Sequence, residues 1–444
     1  MSHPSDQANG EHHGVFERFL HWEAAGSIVL LASAVLALVW ANSPWAESYE
    51  KLTHTYLGVS LGEHSLQMSL KHWVNDLLMV VFFFVVGLEI KREMVLGELS
   101  SFQKASLPIM AAIGGMLVPA GIYLMLNLGG PGQNGWGIPM ATDIAFALGI
   151  LALFGTRAPL GLKVFLTALA IADDMGAVLV IALFYTEEVR LLPLVIAAGC
   201  LVLISLAAQA RVRRVGLYAA LILVVWLGVF ASGVHATIAG ILLALVVPVR
   251  AQIDPKGFFE TAKRSLTTLQ SSEVTKDSMV DDDEQFTALA DLHDASSGMM
   301  PPGIVLERYL HIGQAFVILP LFAFFNAGVS IGGDFLDIMT NPVSLGVILG
   351  LILGKQIGVL LFSWLAIKTG RAALPAGVTW PQIWGASCLA GVGFTMSLFI
   401  SELAFKDPDL VSEAKIGILA ASLISGVVGY FVLRRALPGS SKHA

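Results

Sequence analysis

The sequence predicts an all-α polytopic membrane protein that crosses the bilayer about twelve times. Three observations carry that prediction. Of the 444 residues, 56% are hydrophobic and only 13% are charged, whereas soluble chains carry about 25% charged residues. The apolar residues gather in stretches long enough for a helical crossing, which takes about 20 residues for a hydrocarbon core of about 30 Å. Basic residues also alternate from loop to loop. With a mean hydropathy of +0.75, an ordinary soluble globule and a disordered chain are both excluded.

The apolar stretches fall at approximately 24–42, 72–90, 106–126, 136–155, 160–185, 191–210, 214–232, 234–250, 309–331, 343–367, 379–404 and 412–433. Lysine and arginine positions test that reading, because cytoplasmic loops hold the excess of bases. Of the 26 bases, 20 lie in the N-terminal tail and every second loop after it, from Arg18 through Lys91, Arg92 and Arg157 to Arg434 and Arg435. The opposite loops hold five (Lys51, Lys71, Arg190, Lys406 and Lys415), and Lys355 belongs to neither side. This split predicts that both termini lie in the cytoplasm. Residues 1–23 form a polar tail bearing His3, His12 and His13, not a cleavable signal peptide. The membrane domain covers 24–435, and 436–444 form a short cytoplasmic tail.

Two loops stand out. In 43–71 the alternating run from Tyr56 to Met68, with a turn at Gly62-Glu63-His64, predicts an external hairpin. Segment 251–302 holds ten acids and four bases, including Asp281 to Glu284. Its composition predicts a flexible, mostly disordered cytoplasmic connector. The net charge of −7 comes mostly from this loop, and no basic stripe of a nucleic-acid binder is present. Cys200 and Cys388 lie in apolar stretches and read as buried hydrophobes, not as a disulfide or metal site. No nucleotide-binding motif points to ATP, and no cofactor is implied.

Ionisable side chains inside spans cost about 2.5–3.5 kcal/mol each even on lenient scales, so each needs a reason. Asp143, Asp173, Asp174 and Lys355 stand well inside, while Asp76, His235 and the run Glu89-Ile-Lys-Arg-Glu93 lie nearer the ends. Asp173 and Asp174 are helix neighbours about 100° apart, so one can face a cavity while the other meets a partner. Lys355 sits too deep to snorkel and is the natural partner. Such a pair of desolvated groups can exchange a proton near neutral pH. Pro139, Thr142 and Asp143 predict a break in the fourth span, and Gly391-Val-Gly393 followed by Thr395 and Ser397 predicts one in the eleventh. Broken backbone at membrane depth survives only where protein or a water cavity covers it. An intramembrane aspartyl protease would need a Gly-x-Gly-Asp motif that is absent. A channel would show rings of acids at its mouths. His235 reads as a packed histidine, and Asp76 as a funnel or interface residue.

Ala141-Thr-Asp-Ile-Ala-Phe-Ala-Leu-Gly149, Ala170-Ile-Ala-Asp-Asp-Met-Gly176, Gly87-Leu-Glu-Ile-Lys-Arg-Glu93, Ser232-Gly-Val-His-Ala-Thr237, Leu321 to Val329 and Gly393-Phe-Thr-Met-Ser397 resemble the NhaA-type sodium/proton antiporters, in order, over about residues 15–435. Paired interrupted helices mark ion sites in transporters built from inverted repeats, and NhaA is itself a worked case of that rule. The resemblance implies an inverted-repeat core of helices three to five and ten to twelve, with helices four and eleven broken and crossing. It also implies a second bundle that forms a homodimer, helped by the hairpin. By motif, Asp174 and Asp173 would carry Na+, Li+ or H+, Asp173 would pair with Lys355, and Thr142 and Asp143 would steady the crossing with Gly391 and Gly393. Glu89, Arg92, Glu93, Glu307 and His311 would form a cytoplasmic pH-responsive cluster. The expected function is secondary active transport, not enzymatic catalysis: electrogenic extrusion of sodium in exchange for external protons. Two departures stand out. Arg308 occupies a place associated with histidine, the side chain that titrates between about pH 5 and 8, and the 251–302 loop is unusually long.

Overall fold

The computed structural model describes residues 25–438 except 62–63, 187–188, 211, 213, 252, 272–281 and 331–338. The N-terminal tail, the chain beyond 438, the hairpin tip and the middle of the acidic loop therefore lie outside the described residues. Helix α1 (Ala25–Ala41) turns through 118° into α2 (Ala46–Thr53). Strands β1 (Tyr56–Leu61) and β2 (His64–Ser69) then pair antiparallel, with Tyr56 opposite Ser69 and Leu61 opposite His64. The hairpin leads directly into α3 (Leu70–Val95), whose first turn is capped by the Ser69 hydroxyl accepting from the His72 N–H.

Six segments build the part of the molecule that holds the site. They are α4 (Phe102–Asn127), the span Gln133–Ala152 whose second half is α5 (Ile144–Ala152), α6 (Leu160–Phe184), α13 (Pro342–Lys368), the pair α14 (Trp380–Ala390) and α15 (Phe394–Ala404), and α16 (Pro408–Ala436). A second group joins α1 and α3 with α7 (Leu191–Gln209), α8 (Val215–Ala231), α9 (Thr237–Val246) and α12 (Pro302–Ala327). Contacts of α3 with α6, and of α12 with α15, join the two groups. Helix α13 meets α4 through Gly350, Gly354 and Gly358, spaced four apart as small residues must be for two membrane helices to approach. A Cβ on Gly358 would lie 2.0 Å from the Gly114 carbonyl oxygen, so the backbones themselves are in contact.

Among the described residues, eight helices are long and apolar enough to cross a membrane, or up to ten when each bent pair counts as one; two shorter apolar helices accompany them. The protein is thus a multi-pass membrane protein. Two boundaries differ from the sequence expectation. Helix α9 ends at Val246, short of the expected 250, and α12 begins at Pro302 instead of 309. The polar run Glu307-Arg-Tyr-Leu-His311 lowers the local hydropathy and hides that first turn. Cys388 is buried and Cys200 only half-buried; both are free thiols.

Segment 251–302 also differs from the flexible connector its composition predicts. Its described residues form α10 (Pro255–Ser271) and α11 (Asp283–Met299), packed against each other. Asp282 starts α11 by accepting from the N–H groups of Glu284 and Gln285, and Asp283 and Glu284 sit favourably in its first turn. The same acids that argue for disorder when counted are, at a helix N-terminus, helix-starting residues.

Candidate ion-exchange site

The site begins where two helices fail to continue. Residues Gln133–Met140 wind as a 3-10 helix ending just after Pro139, and Ala141 is extended before α5 starts. Opposite it, α14 stops at Ala390 and α15 resumes at Phe394, bent by 43°. Each break satisfies the other. The Asp143 N–H donates to the Val392 carbonyl at 2.7 Å. The Thr142 hydroxyl lies 2.8 Å from the Ala390 carbonyl oxygen, and the Ser397 hydroxyl donates to the Ile138 carbonyl at 2.8 Å. Asp143 Oδ1 accepts from the Phe146 N–H at 3.0 Å, while Oδ2 accepts from the Thr395 N–H at 3.0 Å and its hydroxyl at 2.5 Å. One carboxylate therefore caps both α5 and α15, where two positive helix ends converge. Gly391 and Gly393 allow the approach: a Cβ on Gly391 would meet the Leu351 carbonyl oxygen at 2.5 Å, and one on Gly393 would meet Ser397 Oγ at 2.2 Å.

Beside this crossing, Asp173 and Asp174 of α6 are 0% and 1% exposed. Lys355, also 0% exposed, forms an ion pair with Asp173 Oδ2. The Thr142 hydroxyl lies 2.7 Å from the same oxygen. The π-helical turn Gly350–Gly354 ends where Lys355 begins, and such turns change which side chains a helix presents. Asp174 looks the other way, into a cavity of about 40 Å³ that Glu89, Asp143, His311, Gln314 and Thr395 also line. Asp173 Oδ1 and Asp174 Oδ1 are buried oxygens with no hydrogen-bond partner among the described residues. Buried carboxylate oxygens need a proton or a cation. The two orphans lie on consecutive residues, with hydroxyl and carbonyl oxygens at the neighbouring crossing.

Further along α3 from the hairpin, one turn past Glu89, Arg92 forms an ion pair with Glu307 and another, 3.2 Å long, with Glu93. Glu93 Oε2 also accepts from the Glu98 N–H at 2.9 Å. Glu89 and His311 thus stand between this cluster and Asp174, whereas Arg308 is exposed and faces elsewhere. Asp76 and His235 belong to the opposite, hairpin side. Asp76 lies in the π-helical turn Val74–Leu78, 3.9 Å from His235 Nε2, and the His235 ring packs edge-on to Phe399. His235 Nδ1 lies 2.8 Å from the Thr237 hydroxyl. Phe399, with Phe83 and Phe322, separates that pair from the crossing at ring distances of 5.5 and 6.1 Å.

Sequence reasoning missed two features here. The π-helical turns that hold Asp76 (Val74–Leu78), follow His311 (Gln314–Ile318) and precede Lys355 leave no simple sequence mark. A partly buried group of Lys71, Glu402 and Lys415 also went unread. Lys415 was assigned to a loop, although Pro408 at a helix start already places it two turns inside α16.

A multi-pass helical fold, two interrupted helices capping each other, and adjacent buried carboxylates, one of them ion-paired to a buried lysine, define a membrane protein built around an ion-sized polar centre. The chain belongs to the NhaA-type sodium/proton antiporter family. Residues 17–433 match the profile of the Na+/H+ antiporter 1 family. The chain is 47% identical over 424 residues to the Na(+)/H(+) antiporter NhaA of Oleidesulfovibrio alaskensis, covering 96% of this chain and 94% of that one. It is 47% identical to the Na(+)/H(+) antiporter NhaA of Koribacter versatilis over 96% of this chain and 93% of that one. A solved sodium proton antiporter of Methanocaldococcus jannaschii aligns with a TM-score of 0.47 at 13% identity, covering 96% of this chain and 100% of that one. That likeness is too distant to add to the argument.

Proposed function

We propose that this protein exchanges cytoplasmic Na+, and Li+, for external protons at Asp173 and Asp174. The reading rests on one observation above the rest: two unpartnered buried carboxylate oxygens on consecutive residues, one residue ion-paired to Lys355 and the other open to a small cavity. Sodium is a hard cation held by carboxylate, hydroxyl and carbonyl oxygens, the donors gathered at this crossing. A proton and a sodium ion cannot both occupy the same carboxylate oxygen, so competition couples the two fluxes. Sodium arriving from the cavity competes with the proton on Asp174 and with Lys355 for Asp173. When more than one proton enters per sodium, each net charge moved draws about 2.3 kcal/mol per 100 mV of membrane potential.

In this reading the hairpin end faces outward and the cavity faces the cytoplasm of a bacterial inner membrane, with both termini inside. The family and the alternating charges of the loops support that orientation. Twelve crossings, an inverted-repeat core and a homodimer formed through the second helix group belong to the same reading. Glu89, Arg92, Glu93, Glu307 and His311, at the cavity mouth, would set the pH response. Neither ATP nor a nucleic acid enters the scheme. The test is cation-driven collapse of a proton gradient in inverted vesicles, followed with a pH-gradient dye between about pH 6.5 and 8.5, where histidine titrates. Sodium and lithium should collapse the gradient, and choline and potassium should not. No response to any cation would refute the assignment.

A further inference from the structure

We propose that Lys71, Glu402 and Lys415 form a separable latch that closes the external route to Asp174, a role resting on the orientation given above. Lys71 Nζ donates to Glu402 Oε1 at 2.7 Å, and Lys415 Nζ donates to the same oxygen at 2.6 Å. The three come from different places. Glu402 is in the last turn of α15 and Lys415 is in α16, both in the helix group that holds the site. Lys71 opens α3, in the second group, at the foot of the hairpin. The triad is one of several contacts joining the groups at this end. Below it, Asn75 and Asn326 exchange hydrogen bonds of 3.2 and 2.7 Å, and the phenyl rings around Phe399 fill the space down to the crossing. On the other side of the crossing lies the cavity beside Asp174. The cavity is therefore covered on the hairpin side and lined by Glu89 and His311 on the other.

One carboxylate needs only one cation, and this one has two. Removing ions from water is costly unless they are paired. The two lysines differ in how readily they could leave. The Lys415 side chain is 7% exposed and shares a helix group with Glu402; that of Lys71 is 23% exposed and belongs to the other group. When the groups part, Lys415 keeps Glu402 neutralised inside the protein, and Lys71 moves into water. The contact can break without stranding a buried charge, as a contact made and unmade in every cycle must. Alternating access moves one helix group against another around a fixed site, and Lys71–Glu402 bridges the two.

The test uses the full chain with Cys200 and Cys388 replaced by serine. In Lys71→Cys/Glu402→Cys, joining the two thiols with a flexible, reducible bifunctional reagent should lower exchange more than tenfold, and reduction should restore it. Undiminished exchange in the joined protein would overturn the latch. In a second arm, a cysteine replaces Ser401, which is buried one residue before Glu402. A membrane-impermeant thiol reagent is applied to right-side-out and inverted vesicles. Adding Glu402→Gln should speed labelling from the outside several-fold; an unchanged rate would overturn the proposal. Labelling confined to inverted vesicles would mean that the orientation is wrong. Absence of exchange in the unaltered full chain would count against the transport assignment, leaving the labelling arm to judge the latch.

Discussion

Lys355→Met removes the cation that faces Asp173 while keeping an unbranched chain of similar length, so the effect read is that of charge. Taking one partner from a buried ion pair costs about 3–5 kcal/mol. The loss has a lower route, because Asp173, 0% exposed and then without its ion-pair partner, can fold as the neutral acid. Taking up a proton costs about 1.36 kcal/mol for every pH unit above an ordinary aspartate value of about 3.9. That is about 2 kcal/mol at pH 5.5 and about 4 kcal/mol at pH 7, and at pH 8.5 the 3–5 kcal/mol for the unpaired charge becomes the limit. The folded variant then binds a proton that the unfolded chain has already lost. Fewer protons in the unfolded state mean that stability falls as pH rises, over a window from about pH 4 upward. In the parent the ion pair with Lys355 stands in place of that proton, so Asp173 should contribute less of this slope. Heating purified protein in detergent at several pH values, and scoring the fraction that stays monodisperse, gives the comparison. The variant should lose more ground at pH 8.5 than at 5.5, and Asp173→Asn/Lys355→Met should regain most of it. A deficit independent of pH, or none, would refute the claim that Lys355 is there to neutralise Asp173.

Asp174→Asn should abolish sodium-driven proton movement in vesicles while the protein still inserts in the membrane; full activity would move the ion site elsewhere. Asp143→Ala removes the carboxylate that caps two helices, and at about 0.5–2 kcal/mol per cap should lower the midpoint of thermal unfolding more than Thr395→Val does. Gly358→Ala pushes a methyl group to within 2.0 Å of the Gly114 carbonyl oxygen and should destabilise by about 1–3 kcal/mol or more, read as poorer yield and lower thermal stability. Glu307→Gln loosens its pair with Arg92 and should displace the pH profile of exchange while leaving maximal rate within a few-fold; an unmoved profile would take the cluster out of the pH response.

How much of this was legible in the sequence depends on the kind of signal. Long apolar runs marked the spans, because a helix in lipid needs such a run. The alternation from Tyr56 to Met68 marked the hairpin, because strand side chains alternate. Asp173, Asp174 and Lys355 stood out because charge in a span is rare. Asp143 was legible as a crossing residue, but its bonds to Phe146 and Thr395 were not, since they depend on where two distant breaks meet. The helices of 251–302 were hidden because composition averages over position. Asp282 counted as one more acid, whereas its place before Glu284 makes it a cap. Glu402 escaped notice because the partners that make it buried and paired come from residues 71 and 415.

The mutual capping of the two breaks also bears on how the chain is made. The Thr142 hydroxyl, the Asp143 N–H and the Asp143 carboxylate find partners 248 to 252 residues further along. Ser397 in turn supplies the Ile138 carbonyl 259 residues back. When the ribosome has delivered the first break, nothing yet synthesised can complete it, and each unsatisfied backbone group in lipid costs several kcal/mol. The first break must therefore wait, wet or sheltered by the insertion machinery, until the second has been threaded. The crossing can close only late in synthesis, and a chain truncated before Thr395 should be handed to proteolysis instead of lingering half-built.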